Sequence, residues 1–129
     1  MSEIPGDLLY TKDHEWIRVE GTLGVVGITD YAQETLGDLT FVELPEVGAE
    51  VAQGDEAGAV ESTKAAASVY APASGTIVEV NTDLEDDPGR VNADCYGDGW
   101  IFKIELSDEA DLAELKKPEH YRQMLASEE

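Results

Sequence analysis

A lysine between two runs of small and β-branched residues is the side chain best placed to do chemistry. Lys64 follows the turn-forming pair Ser62-Thr63 and precedes the alanines 65–67. A turn here would hold the ammonium at the tip of a β-hairpin, where small neighbours leave it open to a modifying enzyme. Such an amine can be acylated, which removes its charge and attaches a long arm. The spacing alone is compatible with an acylation site or with an ordinary exposed turn lysine.

The other reactive residue types lack the spacing of a catalytic or metal site. His14 and His120 are the two histidines, and neither lies at metal-ligand spacing from another His or Cys. The chain has no nucleophile elbow and no glycine-rich phosphate loop. The single cysteine, Cys95, excludes an internal disulfide. We expect it to be a small, partly buried side chain rather than a reactive thiol.

The acidic run at residues 83–89 raises the question of a calcium loop. An EF-hand loop needs Gly at its sixth position and Glu at its twelfth. Here those positions hold Pro88 and Asp94. We therefore interpret the run as a solvated acidic turn.

The charge balance restricts the kinds of partner. Lys and Arg total 8 against 29 Asp and Glu, which gives a formal net charge of −21 in 129 residues. Nucleic acids and anionic membranes both require clusters of basic side chains, so neither is expected as a partner. With 42% hydrophobic residues, the chain is too apolar for a disordered acidic protein. The excess of carboxylates also resembles the surface of a salt-adapted, halophilic protein.

The length predicts a single domain over residues 1–129, with a core at about 8–106 and a helical segment at about 108–127. The first residues are acidic and lack a signal-peptide or transit-peptide pattern. No apolar run approaches the length of a membrane span. Together with the lone cysteine, these features predict a soluble, cytoplasmic protein.

The middle of the chain reads as short strands separated by turns. Strands are predicted at residues 15–20, 23–28, 39–44, 57–62, 66–70, 76–80 and 100–106. In the last of these, Trp100, Phe102, Ile104 and Leu106 would share one face.

Helix signals are few. Asp30 is expected to cap a short helix, with Gln33 completing a capping box and Gly37 ending the helix. Ser107 or Asp108 would cap a further turn or two near the end of the chain.

Pro118 suits the first position of a final helix. Its residues Tyr121, Met124 and Leu125 form an apolar stripe that should pack on the sheet. Many short strands and a helical tail predict a small β-sandwich or barrel with C-terminal helices packed against it.

Four blocks of the sequence point to a known family. The lysine stands in GAVESTKAA (58–66), which is followed by YAPASGTI (70–77). The other blocks are YTKDHEW (10–16), GITDYAQ (27–33) with GDL (37–39) and VELP (42–45), and VNADCYGDGW (91–100). Together they strongly resemble the glycine cleavage system H proteins from about residue 8 to 125. Biotin carriers have Met on both sides of the lysine, and lipoyl domains of 2-oxoacid dehydrogenases typically have Asp before it.

The resemblance implies a mainly β, barrel-sandwich hybrid fold with short C-terminal helices. It also implies lipoic acid as a covalent cofactor, attached to Lys64 as an amide by a lipoylating enzyme. The lipoyl disulfide would accept an aminomethyl group from glycine decarboxylase (P protein). An aminomethyltransferase (T protein) would take it over, and dihydrolipoyl dehydrogenase (L protein) would reoxidise the dithiol. The protein would then be a carrier and not an enzyme.

The resemblance assigns roles to two carboxylates. Glu61, three residues before Lys64, matches a position that helps the lipoylating enzyme recognise the hairpin; otherwise it is a solvated strand residue. Glu15 matches a cleft residue that shelters the loaded arm; otherwise it is a surface strand residue. The chain departs from the family pattern at Ser68, Thr35 and Cys95, where members often have Asp, His and Pro. Neither Ser68 nor Thr35 can supply a charge at its position.

Two other functions compete with this interpretation. An H-like protein that passes its lipoyl group to other lipoyl proteins would carry the same motif. An enzyme could instead use Lys64 as a Schiff-base nucleophile, but that requires a desolvated pocket that lowers the pKa of the amine. The surrounding carboxylates would favour the ammonium form.

Overall fold

The computed structural model describes residues 3–128, in which short strands form two antiparallel sheets. The strands are β1 (Leu9–Tyr10), β2 (Glu15–Glu20), β3 (Leu23–Ile28), β4 (Leu39–Glu43), β5 (Glu50–Val51), β6 (Glu56–Ser62), β7 (Ala66–Tyr70), β8 (Gly75–Val80) and β9 (Phe102–Leu106). The helices are α1 (Asp30–Leu36), α2 (Asp83–Asp86), α3 (Arg90–Ala93), a 3-10 helix (Glu109–Glu114) and α4 (Pro118–Glu128). Within this described part, no helix combines the length and apolar character needed to cross a bilayer.

Most of the predicted strands are present within a residue of their expected ends, and β1 and β5 are additional two-residue strands. The larger sheet has the order β1-β2-β3-β9-β8-β5, and the smaller has the order β4-β6-β7. In the smaller sheet, β6 pairs with both neighbours, and Glu61 on β6 lies opposite Ala66 on β7. This register leaves the connection 62–65 at the tip of the β6–β7 hairpin.

The main core lies between the two sheets. Inward side chains come from β2, β3, β8 and β9 on one side and from β4, β6 and β7 on the other: Ile17, Val26, Ile77, Ile104, Leu39, Val42, Val60 and Val69. Burying each large apolar side chain stabilises the fold by roughly 1.5–3 kcal/mol. The architecture is the mainly β sandwich that the sequence predicts.

A second apolar cluster covers the outer face of the larger sheet, where α4 packs. The ring of Tyr121 stacks on that of Tyr10, with centroids 4.6 Å apart. The hydroxyl of Tyr121 lies 2.8 Å from Nδ1 of His14 and 2.7 Å from Oγ1 of Thr29. Leu125 is also buried. The predicted docking of the C-terminal stripe is confirmed.

Helix α1 begins one residue earlier than predicted. Thr29, not Asp30, is the N-cap: its backbone is extended, and its side chain accepts the N–H of Ala32. Asp30 is already helical, and its carboxylate instead accepts from the side-chain amide of Gln33 at 2.7 Å. The expected capping box is therefore absent. Gly37 ends the helix as predicted, with a left-handed φ of 83°.

The predicted strand at 100–106 is shorter than expected. It starts at Phe102, because the N–H of Trp100 bonds back to the carbonyl of Gly97 in the preceding turn. Trp100 does not join the main core, and Lys103 Nζ lies 4.9 Å from the centre of its ring. The remaining apolar residues, Phe102, Ile104 and Leu106, are buried together as predicted.

The first part of the acidic run forms the short helix α2, and a turn follows at Pro88-Gly89. The anchor of α2 is Leu84, which is fully buried, while the carboxylates face outward. Asp83 and Asp87 flank Arg90, with N···O distances of 3.8 and 3.6 Å. Among residues 3–128, no group of three or more His, Cys, Asp or Glu is arranged to hold a metal ion. Further on, Asp108 caps the 3-10 helix, its side chain accepting the N–H of Ala110 at 2.9 Å.

Candidate functional site

Lys64 lies at the exposed tip of the β6–β7 hairpin. The turn is closed by the N–H of Ser62, which donates to the carbonyl of Ala65 at 2.8 Å. The hydroxyl oxygen of Ser62 also accepts the N–H groups of Lys64 and Ala65, at 3.3 and 3.2 Å. The lysine backbone is thus held in a defined turn, while its side chain remains accessible. The hairpin that the sequence predicts around this lysine is present.

Ser62 also ties the hairpin to α1. Its hydroxyl donates to the carbonyl of Leu36 at 2.6 Å, in the last turn of that helix. The side chain of Lys64 also lies close to the end of α1, because a Cβ atom placed on Gly37 would be only 3.2 Å from Lys64 Cε. The pair Ser62-Thr63 signalled a turn in the sequence, but nothing local could reveal a partner 26 residues away.

Glu61 occupies the last exposed position of β6 before the turn. It pairs across the smaller sheet with Phe41 on β4 and with Ala66 on β7. Its carboxylate is solvated, and it lies three residues from the lysine on the same strand and turn. An enzyme that approached the hairpin tip would meet this charge.

Glu15 is buried, which excludes the alternative that it is a surface strand residue. It begins β2 and is only 1% exposed. The Thr11 hydroxyl donates to one carboxylate oxygen, and the N–H of Tyr70 donates to the other at 3.2 Å. Burial raises the pKa of this carboxyl from 4.5 to about 7, against the opposing effect of these two hydrogen bonds. Glu15 is therefore a carboxyl that a nearby cation would stabilise in its ionised form.

The turn before Glu15 aims its side chain. Thr11 Oγ1 accepts the N–H groups of Asp13 and Glu15, at 3.2 and 3.1 Å. His14, between them, has a left-handed φ of 70°, a conformation that is uncommon outside glycine. Its carbonyl accepts the N–H of Thr29 at 3.0 Å, which ties the turn to the start of α1. These contacts fix the orientation of the buried carboxyl.

A cleft of about 280 Å³ opens beside this carboxyl. Its walls come from residues 10–13, Gln53, Gly54, residues 70–72 and residues 114–116. Strand β7 connects the cleft to the hairpin, because it runs from Ala66 beside the tip to Tyr70 on the cleft wall. Ser68, where the family pattern often has Asp, lies half-buried on this strand, and Thr35 is exposed on α1. Lys64 therefore precedes one end of β7, and Glu15 of β2 contacts the other end through the N–H of Tyr70.

The single cysteine, Cys95, has a structural position rather than a reactive one. Cys95 is buried in a turn, and burial raises the pKa of its thiol to about 12. The carbonyl of Cys95 accepts the indole N–H of Trp16 at 3.0 Å.

Lys64 does not line the cleft and is exposed, so it lacks the desolvated pocket that a Schiff-base nucleophile requires.

Comparison with known proteins identifies the family. The model of the family described as "Glycine cleavage H-protein" matches residues 8–128. The glycine cleavage system H protein of Carboxydothermus hydrogenoformans is 53% identical over 128 residues, covering 99% of this chain and 98% of that protein. The protein of the same name from Rubrobacter xylanophilus is 54% identical over 129 residues, covering 100% of both.

The fold agrees with a solved structure of this family. A crystal structure of a glycine cleavage system H protein from Mycobacterium marinum matches with a TM-score of 0.88 and 46% sequence identity. The match covers 95% of this chain and 99% of that one. The chain belongs to the glycine cleavage H-protein family, whose members are carriers rather than catalytic enzymes.

Proposed function

We propose that the protein is the lipoyl carrier of a glycine cleavage system and that Lys64 bears the lipoyl group. The observation that carries the proposal is the position of Lys64 at the exposed hairpin tip in a member of this family. The residues present fit the group. The amine is accessible, and the exposed alanines 65–67 leave room for an acyl chain and for the enzyme that attaches it.

The bound lipoyl group would supply a disulfide that takes up an aminomethyl group and two electrons. The proposed partners are glycine decarboxylase (P protein), the aminomethyltransferase (T protein), dihydrolipoyl dehydrogenase (L protein) and the lipoylating enzyme. The chain's own contribution is to hold Lys64 on a rigid hairpin, so that several enzymes meet the arm in the same place in turn. A cytoplasmic location stays a prediction from the sequence.

We assign Glu15 to sheltering the loaded arm. The aminomethyl group is cationic at neutral pH, and the buried Glu15 carboxyl beside the cleft would pair with that charge. Thr11 and the N–H of Tyr70 hold the carboxylate oxygens in place for this contact. Ser68 adds no charge along β7, and the cleft carboxylates of Asp13 and Glu114 are exposed to solvent, so Glu15 is the buried carboxyl that would pair with the arm.

Glu61 is proposed as part of the surface by which the lipoylating enzyme recognises the hairpin. Its exposed carboxylate lies on the strand that leads directly into the turn. A basic group on the enzyme could pair with it while the Lys64 amine enters the active site.

The decisive experiment replaces Lys64 by Arg. Lys64→Arg keeps the charge and the approximate length, so the fold should hold within about 0.5 kcal/mol, but a guanidinium cannot form the amide. The variant should gain no lipoyl mass when incubated with a lipoylating enzyme. It should also give no glycine-dependent CO2 exchange with the P protein. The matched control, Lys117→Arg, changes another exposed lysine that does not line the cleft, and it should behave like the unmodified sequence.

Two results would contradict the proposal. If Lys64→Arg still acquires the lipoyl mass, the attachment site is another residue. If the protein with Lys64 acquires the lipoyl mass but supports no glycine-dependent CO2 exchange with the P protein, the proposed carrier role is wrong. Transfer of its lipoyl group to a second lipoyl protein would then support the relay function.

A further inference from the structure

An aromatic side chain is exposed on the sheet that carries the hairpin. Phe41 on β4 is 50% exposed, although its neighbours Leu39 and Val42 are buried. In a regular strand, residues 39 and 41 would point to the same face. The register between β4 and β6 shifts between Leu39 and Phe41, so Thr40 is an extra residue. This bulge turns Phe41 outward and Val42 into the core.

Phe41 forms one wall of an acidic groove of about 320 Å³. The groove is lined by Phe41, Val42, Glu43, Leu44 and Glu85. Both glutamates are exposed, and none of the lining residues is basic. An apolar side chain flanked by a lysine or arginine complements such a groove in both shape and charge.

The acidic groove lies next to the modification hairpin. Phe41 pairs directly with Glu61, and Leu39 pairs with Ser62 at the start of the turn. An unmodified lysine side chain is short, so an enzyme that acylates it must contact the protein close to the hairpin. Enzymes that act on the far end of a completed arm have no such constraint and can dock elsewhere.

We propose that the acidic groove is the docking surface of the lipoylating enzyme, which inserts an apolar side chain beside Phe41 and a basic side chain between Glu43 and Glu85. This inference rests on the proposed attachment of the lipoyl group to Lys64. It assigns to Phe41, which the bulge at Thr40 exposes, a part in selecting the modifying enzyme.

The test compares two exposed apolar positions. Phe41→Ala removes the aromatic wall, whereas Val78→Ala shortens a side chain of similar exposure, 43%, on β8 of the other sheet. Phe41→Ala should lower kcat/KM for lipoylation about tenfold or more, mainly through KM, as expected for a central aromatic contact. Val78→Ala should stay within about twofold of the original protein. Circular dichroism and the thermal midpoint should show that both variants are folded.

The charges are tested separately. The double variant Glu43→Gln, Glu85→Gln should raise KM at low salt, and it should also reduce the salt dependence of lipoylation. If KM and its salt dependence are unchanged in the double variant, the acidic groove does not attract the enzyme.

A second readout separates the lipoylating enzyme from the other partners. Phe41→Ala, driven to full lipoylation with excess enzyme, should support glycine-dependent CO2 exchange at the original rate. If Phe41→Ala is lipoylated at the normal rate, the proposal is wrong. If this variant then also supports only slow CO2 exchange, the groove is a contact for the P protein instead. Neither outcome tests whether Lys64 is the attachment site, because that question is answered by Lys64→Arg alone.

Discussion

The buried carboxyl of Glu15 should give the protein a specific pH dependence of stability. Glu15→Gln replaces a titratable group by a neutral one of the same shape in the same hydrogen-bonded position. The amide oxygen can keep one of the two accepted hydrogen bonds, from Thr11 or from the N–H of Tyr70. The loss of the other is expected to cost about 1–2 kcal/mol at every pH.

The pH-dependent part follows from the raised pKa. Below pH 4.5 the carboxyl is protonated in both the folded and the unfolded chain, and it does not affect the pH dependence. Between pH 4.5 and about 7 the unfolded chain releases this proton while the folded chain retains it. The free energy of unfolding therefore falls as the pH rises through this window. At about 1.36 kcal/mol for each pH unit, the loss reaches about 3 kcal/mol above pH 7.

The assay is urea unfolding followed by tryptophan fluorescence at constant ionic strength, from about pH 4 to pH 8. The measured quantity is the free energy of unfolding of the original protein minus that of Glu15→Gln. This difference should decrease by about 3 kcal/mol as the pH rises over this range. The difference cancels most of the contribution from the other acidic residues. Glu61→Gln, which removes an exposed carboxylate, is the matched control and should show a much smaller change. A difference for Glu15→Gln that stays constant across this pH range would refute the reasoning.

Three further outcomes are expected. Ending the chain at Lys117 removes α4 and with it the buried side chains of Tyr121 and Leu125, so the free energy of unfolding should fall by about 3–6 kcal/mol. Lipoylation should persist, and equal thermal midpoints for the two lengths would show that α4 does not dock. With a net charge of −21, the thermal midpoint should rise as KCl increases from dilute to molar, and a flat or falling trend would remove the idea of salt adaptation. Gly75→Ala would press a methyl group onto the carbonyl of Glu105 and should cost about 3 kcal/mol, whereas Gly6→Ala, with nothing within 4 Å, should be neutral in urea unfolding.

Local patterns in the sequence were sufficient to predict most of the fold. Alternation of apolar and polar residues with a period of two defines β9, because neighbouring side chains of a strand point to opposite faces. Strands β2 and β3 follow from two β-rich runs separated by the turn signal Gly21-Thr22. The proline and the apolar stripe of α4 predict its start and its packing face. The Ser-Thr-Lys turn is equally local, so residues close together in the chain are enough to predict the hairpin around Lys64.

Tertiary structure alone decided the properties that depend on register and on distant partners. Glu15 begins a strand in a polar stretch, and only the packing of Tyr70 and Thr11 around it makes it a buried carboxyl. Phe41 has the pattern of a core residue, but one extra residue in the pairing with β6 turns it to solvent. Side-chain periodicity specifies a strand but not its register, and a shift of one residue exchanges the buried and exposed faces. Burial, and with it the pKa of Glu15 and the exposure of Phe41, is therefore set by elements that lie far apart in the chain.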